Sequence, residues 1–407
     1  MKLILGFSIP LLFGNLFQQF YSMVDTMIVG RVLGTGPLAA VGSTGSITFL
    51  IIGFCLGLCS GFAIPVAQRF GSRDYKELRR FIGNAVWLCV GFGFVLTVLT
   101  VIFCRNILEL MGTPADIIDD AYAYLVVIFA GIPATFLYNM LAGIQRAIGD
   151  SRTPVVILVI ASIINIVLDI VLVVFIPMGV AGAAVATVAS QLIGGVVCLL
   201  YVSKHYEVLK MTREDFKINV PCIKRLLSMG LPMALQTSIT AIGSVILQAS
   251  VNSLGSTVVA SITAGSRLYM FFACAYDAMG VTMSTYSGQN IGARKIDRIG
   301  QGVKACNIVG IIYSVLALLI IVFLGKWMLL LFVDAGETAI INSAYWYLVC
   351  SGLFMIPLTF VNVLRLTIQG MGYSRLALFA GVFEMIARGG VGLFLVPLFG
   401  FNAACLS

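Results

Sequence analysis

The chain has 407 residues, 60% of them apolar and only 10% charged, with a formal net charge of +8 and a mean hydropathy of +1.06. A soluble domain is about 25% charged, so an ordinary cytosolic enzyme is excluded, and disorder, which needs low hydrophobicity and high charge, is excluded with it. What remains is a polytopic membrane protein, and at about 20 apolar residues per spanning helix the chain has room for roughly a dozen.

Lys2 precedes an apolar stretch, but Pro10, Asn15 and Asp25 interrupt it and no small-residue cleavage site follows. The segment therefore reads as a first helix and not as a cleaved leader. In chain order, helices are expected at about 4–31, 38–68, 81–104, 118–145, 154–176 and 178–203. A second set is expected at about 224–252, 257–291, 301–325, 337–366 and 375–397, with a twelfth beginning near Phe399. Several exceed the length needed to cross a bilayer, so tilts or kinks are expected. Pro10 in helix 1 is a candidate bending point, because proline frees a backbone carbonyl.

Of the 25 basic residues, 19 fall on one side of these helices, from Lys2 and the 69–80 cluster to Arg375. Three, Arg31, Arg105 and Lys326, fall on the other, and Arg267, Arg365 and Arg388 lie within helices. The positive-inside rule makes the rich side, with the N-terminus, cytoplasmic. The net charge is explained by this bias, and no nucleic-acid partner is expected.

The sequence repeats. Ser8-Ile9-Pro10 matches Gly230-Leu231-Pro232, the stretch Gln68 to Arg73 matches Gln289 to Arg294, and Gly149 to Arg152 matches Gly372 to Arg375. Pro177-Met178-Gly179 corresponds to Pro397, Phe399 and Gly400. One order at nearly one spacing marks two six-helix bundles. Six is even, so both halves start on the same side and the repeat is parallel. The expected division is a first lobe at 1–203, a polar basic linker at 204–223 and a second lobe at 224–407. By the same offset the twelfth helix would end roughly 17 residues beyond Ser407, so the chain reads as truncated.

The informative residues are polar groups inside helices, which are costly in a bilayer and functional by default. In the first lobe these are Asp25 with Tyr21 one turn before it, Asp169 with Asn165 one turn before it, Thr187 in helix 6 and Asn139 in helix 4. Two carboxylates held close in low dielectric cannot both stay ionised. They suit a proton carrier, or a small-cation site built from carboxylate, amide and hydroxyl oxygens; interhelical hydrogen bonding is the bland alternative. Asp277 and Glu384 lie in the second lobe but not at the images of Asp25 and Asp169, so the lobes are chemically unequal. Glu384 and Arg388, four apart, are expected to pair, and Asp277 faces either Arg267 or the space between the lobes.

The ten cysteines include no CxxC pair, and His205 is the only histidine. Zinc sites and Cys–His nucleophiles are excluded, and the cysteines read as packing residues. No Walker A or HExxH occurs, so no enzyme activity and no cofactor are expected.

Val24-Asp25-Thr26-Met27-Ile28-Val29-Gly30-Arg31 resembles the helix 1 signature of multidrug and toxic compound extrusion (MATE) transporters. Gly288 to Ala293 resembles their helix 8–9 loop, and Asn165 to Asp169 followed by Gly179 to Ala184 resembles their helix 5–6 pattern. The resemblance spans essentially the whole chain. It implies an all-α, twelve-helix, V-shaped fold acting as a monomer in the plasma membrane, exporting organic, often cationic, compounds in exchange for H⁺ or Na⁺. Carried over by motif, Asp25, Asn165, Asp169 and Thr187 match the first-lobe cation site of the DinF-like branch, a possible Na⁺ site. Tyr21 and Asn139 stand beside it, with Asp25 and Asp169, on the substrate side. Helix 7 has Gln236 and no acid, so the second-lobe sodium site of the NorM-like branch is not expected. The rival in the same superfamily is a flippase of lipids or lipid-linked oligosaccharides, which would want an arginine-rich cavity for pyrophosphate.

Overall fold

The computed structural model describes residues 1–334 and 336–405, without the side chains of Thr35 and Ser256. Among them are helices and turns and no strand. The spans are α1 (Lys2–Leu33), α2 (Gly45–Gly71), α3 (Tyr75–Ile102), α4 (Ile118–Ala130 and Ile132–Ala147), α5 (Arg152–Phe175) and α6 (Val180–His205). They continue as α7 (Val220–Asn252), α8 (Ser256–Gly292), α9 (Ile296–Leu329), α10 (Thr338–Leu353 and Met355–Gly370), α11 (Ser374–Phe399) and the start of α12 (Phe401–Ala404). Several starts are set by side-chain caps: Asp74 accepts from the Glu77 amide at 3.1 Å, and Asn219 from the Cys222 amide at 3.0 Å.

One boundary changes. Helix 2 does not begin at 38, because a separate short helix, Thr35–Ser43, precedes α2. α1 runs as one continuous helix through Pro10. Breaks fall at Gly131 and Phe354, just before Pro133 and Pro357, where α4 turns by 46° and α10 by 50°. Each proline occupies the first turn of its second segment, where a missing N–H costs nothing.

Two main cores form, one centred in each half, with Leu226 and Ala234 of α7 joining the first and Ile4 of α1 the second. Leu58, Phe62, Leu125 and Phe129 anchor the first, and Tyr276, Met283, Ile321 and Leu348 the second. Outside them Phe94, Leu200, Phe323, Phe383 and Phe394 stand exposed, a surface that only a bilayer makes favourable. The repeat is written into the backbone as well. Left-handed residues recur in pairs 221 to 223 positions apart: Gly34 and Gly255, Arg73 and Arg294, Gly149 and Gly372, Gly179 and Gly400. π-helical segments recur likewise at Val391–Leu395 and Ile170–Phe175. The architecture is two six-helix bundles in a V.

The halves meet through α1 on α8 and, more extensively, α2 on α7. The second pair is antiparallel and nearly touches backbone to backbone. A Cβ added to Gly61 would fall 2.4 Å from the Gly230 Cα, and one on Gly57 would fall 2.6 Å from the Ala234 Cα. Small residues four apart on both helices permit this approach. At the end bearing the basic loops the seam is shut. Gln68 donates to the Gly370 carbonyl (3.1 Å) and Gln289 to the Ala147 carbonyl (2.8 Å), each glutamine reaching across to the other bundle.

The basic linker is docked and not loose. Asp215 takes hydrogen bonds from the Thr212 amide and hydroxyl, both at 2.8 Å, and lies 3.5 Å from Arg79. Trp87 donates to the Phe216 carbonyl at 2.9 Å, and Asn84 donates to Lys217 and accepts from Asn219. Burial pulls the Asp215 carboxyl up, but these hydrogen bonds and the arginines win and hold it below the ordinary aspartate value.

Candidate functional site

The first bundle carries the polar chamber. α1 lies along α5, and Gly14 sets the approach: a Cβ there would fall 3.0 Å from Val155. This packing brings Asp25 of α1 within electrostatic reach of Asp169 of α5. Asp169 and Asn165, one turn apart, are 0% and 2% exposed. Five atoms here are buried without a hydrogen-bond partner among the described residues: Oδ1 of Asp25, both carboxylate oxygens of Asp169, and Oδ1 and Nδ2 of Asn165. Buried polar groups are almost always paired, so a cluster of five on three facing side chains marks a place made for a ligand. Both carrier helices change to π geometry just beyond their acids, α1 at Val29 and α5 at Ile170. Such bulges are frequent at functional sites.

Toward the basic end lies a cavity of about 160 Å³, lined among others by Asn15, Gln18, Tyr21, Asn139, Asn165 and Gln191. Asn139 donates to the Thr135 carbonyl at 2.8 Å, and the Thr135 hydroxyl donates to Gln191 at 2.8 Å. The structure thus groups Asp25, Asn165 and Asp169, with Tyr21 and Asn139 beside them. Thr187 is different: it is half-buried on α6, its hydroxyl donates to the Ala183 carbonyl at 3.0 Å, and it does not line the cavity.

Three residues of this chamber were not expected. Tyr124 of α4 lies within reach of both carboxylates and of Tyr21. Gln18 lines the cavity with Tyr21, and its place one turn before Tyr21 was readable by helical spacing. Arg146 was read as a loop residue on the basic side. In fact α4 extends to Ala147, and Arg146 in its last turn lines the cavity.

The second bundle closes on itself. Glu384 lies 2.9 Å from Arg388, as its spacing implied, and 3.8 Å from Arg365 of α10. Arg388 also donates to Ser244, Arg365 to Asn362, and Thr240 to Glu384. Asp277 is exposed on α8, and among the described residues the ion pairs of Arg365 and Arg388 go to Glu384 and not to it. Gln236 donates nothing to a cation site; it accepts from Gln369 at 2.6 Å. Among the described residues no group of three or more His, Cys, Asp or Glu side chains is arranged to hold a metal.

The MatE family model matches residues 10–171 and again residues 232–392, the second stretch beginning 222 residues after the first. The chain is 32% identical over 340 residues to the probable multidrug resistance protein YoeA of Bacillus subtilis strain 168, covering 82% of this chain and 73% of the relative. It is 27% identical over 328 residues to the DNA damage-inducible protein F of Escherichia coli K12, covering 77% and 69%. A solved structure described as the outward-facing conformation of a multidrug resistance MATE transporter superposes with a TM-score of 0.93 at 23% identity, over 100% of this chain and 91% of that one. At that identity the likeness establishes the fold.

Proposed function

The chain belongs to the MatE family of membrane transporters, and from that premise we propose that it is a secondary active antiporter. It exports organic, often cationic, compounds in exchange for H⁺ or Na⁺. The observation that carries this reading is the unpartnered set on Asp25, Asn165 and Asp169. Two facing carboxylates in a desolvated chamber repel each other, and a shared proton or a cation between them relieves that repulsion. An arriving cation and an organic cation leaving the same lobe therefore compete for one pair of charges.

With the basic loops and the N-terminus on the cytoplasmic side of the plasma membrane, the shut seam faces inward and the V opens outward. Alternating access follows if cation binding from outside reshapes the first lobe and expels substrate, after which the seam opens. Inward movement of each elementary charge gains about 2.3 kcal/mol per 100 mV. A flippase would need several free arginines for pyrophosphate, and Arg365 and Arg388 are both engaged by Glu384.

The test uses everted vesicles with an imposed pH gradient and a fluorescent organic cation. Proton release on adding the compound, independent of sodium and lost in Asp169→Asn, supports proton exchange through this chamber. Transport that requires a sodium gradient keeps the site and changes the ion. Wild-type export by both Asp25→Asn and Asp169→Asn variants, each verified as folded, refutes the site.

A further inference from the structure

Arg146 is a guanidinium inside the first bundle with no anion beside it. It lines the internal cavity with Asn15, Gln18, Asn139 and Gln191. The ionisable groups that act on it are Tyr138, Cys59 and Cys198, none of which is an anion at neutral pH. No salt bridge to it occurs among the described residues, although every arginine that reaches Glu384 is paired. Arg146 is half-buried, and a cation that lines an amide-rich cavity with no carboxylate beside it is free to take a counter-charge that arrives with a ligand.

We propose that this cavity binds the carboxylate of an organic acid or zwitterion, held by Arg146. The planar guanidinium fits a carboxylate through two parallel hydrogen bonds, and the amides of Asn15, Gln18 and Gln191 supply further donors. A single guanidinium balances one negative charge, which favours a carboxylate over a doubly charged phosphate. At about 160 Å³ the cavity is smaller than the ~300–1,000 Å³ of drug-sized sites. It therefore takes the acidic end of the molecule and leaves the remainder toward Asn165 and the acids. The chamber is bipolar, with a cation-seeking end at Asp25 and Asp169 and an anion-seeking end at Arg146. The inference deepens the export reading and rests on it for transport, but not for binding.

Rhodamine B and its ethyl ester differ only in a free carboxylate, and both can be followed by fluorescence anisotropy with the full chain in nanodiscs, against empty nanodiscs. Arg146→Gln is expected to weaken rhodamine B binding by about tenfold or more, with less than about twofold change for the ester. Arg146→Lys, which keeps the charge but not the fork, is expected to fall between. Equal losses for both dyes would make Arg146 a structural residue and overturn the proposal. So would unchanged rhodamine B binding in Arg146→Gln, or wild-type protein that binds the ester alone or neither dye. Arg146-dependent binding in protein whose vesicles export neither dye would leave this site standing and remove the export reading instead.

Discussion

Replacing Gln68 and Gln289 by alanine together should loosen the shut end of the molecule. Each side chain crosses between bundles to a carbonyl at a helix C-terminus, Gly370 at 3.1 Å and Ala147 at 2.8 Å. Carbonyls in the last turn have no partner within their own helix, so each glutamine satisfies a group that otherwise waits for water. A net hydrogen bond contributes about 0.5–1.5 kcal/mol. Losing both costs the shut state roughly 1–3 kcal/mol, a shift of about 5- to 150-fold in the ratio of shut to open seams. The bonds belong only to the shut state, so overall stability should change less than this ratio. Double electron–electron resonance between labels at the exposed positions Asp116 and Asp334, placed as an unnatural amino acid because ten cysteines are present, reads the separation of the far ends. A new, shorter population in the double variant is expected, and smaller amounts in each single variant. Superimposable distributions for wild type and the double variant would refute the view that these two bonds hold the seam.

Other outcomes follow from the same geometry. Gly61→Val places a Cβ 2.4 Å from the Gly230 Cα; overpacking costs about 1–3 kcal/mol or more, and a thermal melt in detergent should show it, whereas Gly91→Val, in open space, should melt like wild type. Glu384→Gln leaves Arg388 and Arg365 without their carboxylate. Because the three side chains are 23–33% exposed, the cost should lie between a surface pair and a buried one, about 1–3 kcal/mol, and the Glu384→Gln/Arg388→Gln double variant should not lose the sum of the two singles. Asp215 is held below its ordinary value when folded, so its contribution is present above the unfolded aspartate pKa of about 3.9 and is lost as pH falls through the folded value. Wild-type protein should therefore lose linker docking on acidification, followed by Trp87 fluorescence, and Asp215→Asn should be docked less firmly at neutral pH with a flatter acid profile.

Much of this was legible because bilayer physics is strict. Apolar runs gave the spans, and paired proline and glycine landmarks gave the repeat. Acids inside apolar helices singled out Asp25 and Asp169, because a carboxylate there is costly. The sequence also indicated the Glu384–Arg388 pair by spacing alone. It did not reveal Arg146, because a basic residue at the end of an apolar run looks like a cytoplasmic anchor. Only the two-residue extension of α4 turns its side chain inward. Tyr124 stayed hidden for a similar reason: aromatic residues are common in such helices, and nothing in its neighbours says that it faces the acids. Thr187 entered the set by motif, and its hydroxyl turns back to a carbonyl of its own helix, as helical threonines readily do.

The glycine contact between α2 and α7 has a mechanical consequence. Backbones that approach this closely at Gly57–Gly61 and Gly230–Ala234 resist sliding, so rocking of the bundles in the alternating access proposed above would pivot there. At 1.5 Å per residue the arm of α2 from Gly61 to Gly71 is about 15 Å, and the arm from Gly57 back to Gly45 is about 18 Å. Parting the seam by about 5 Å would swing the far arm by about 6 Å. In the alternating access proposed above, arms this nearly equal would tie the opening of one mouth to a narrowing of the other by almost the same amount.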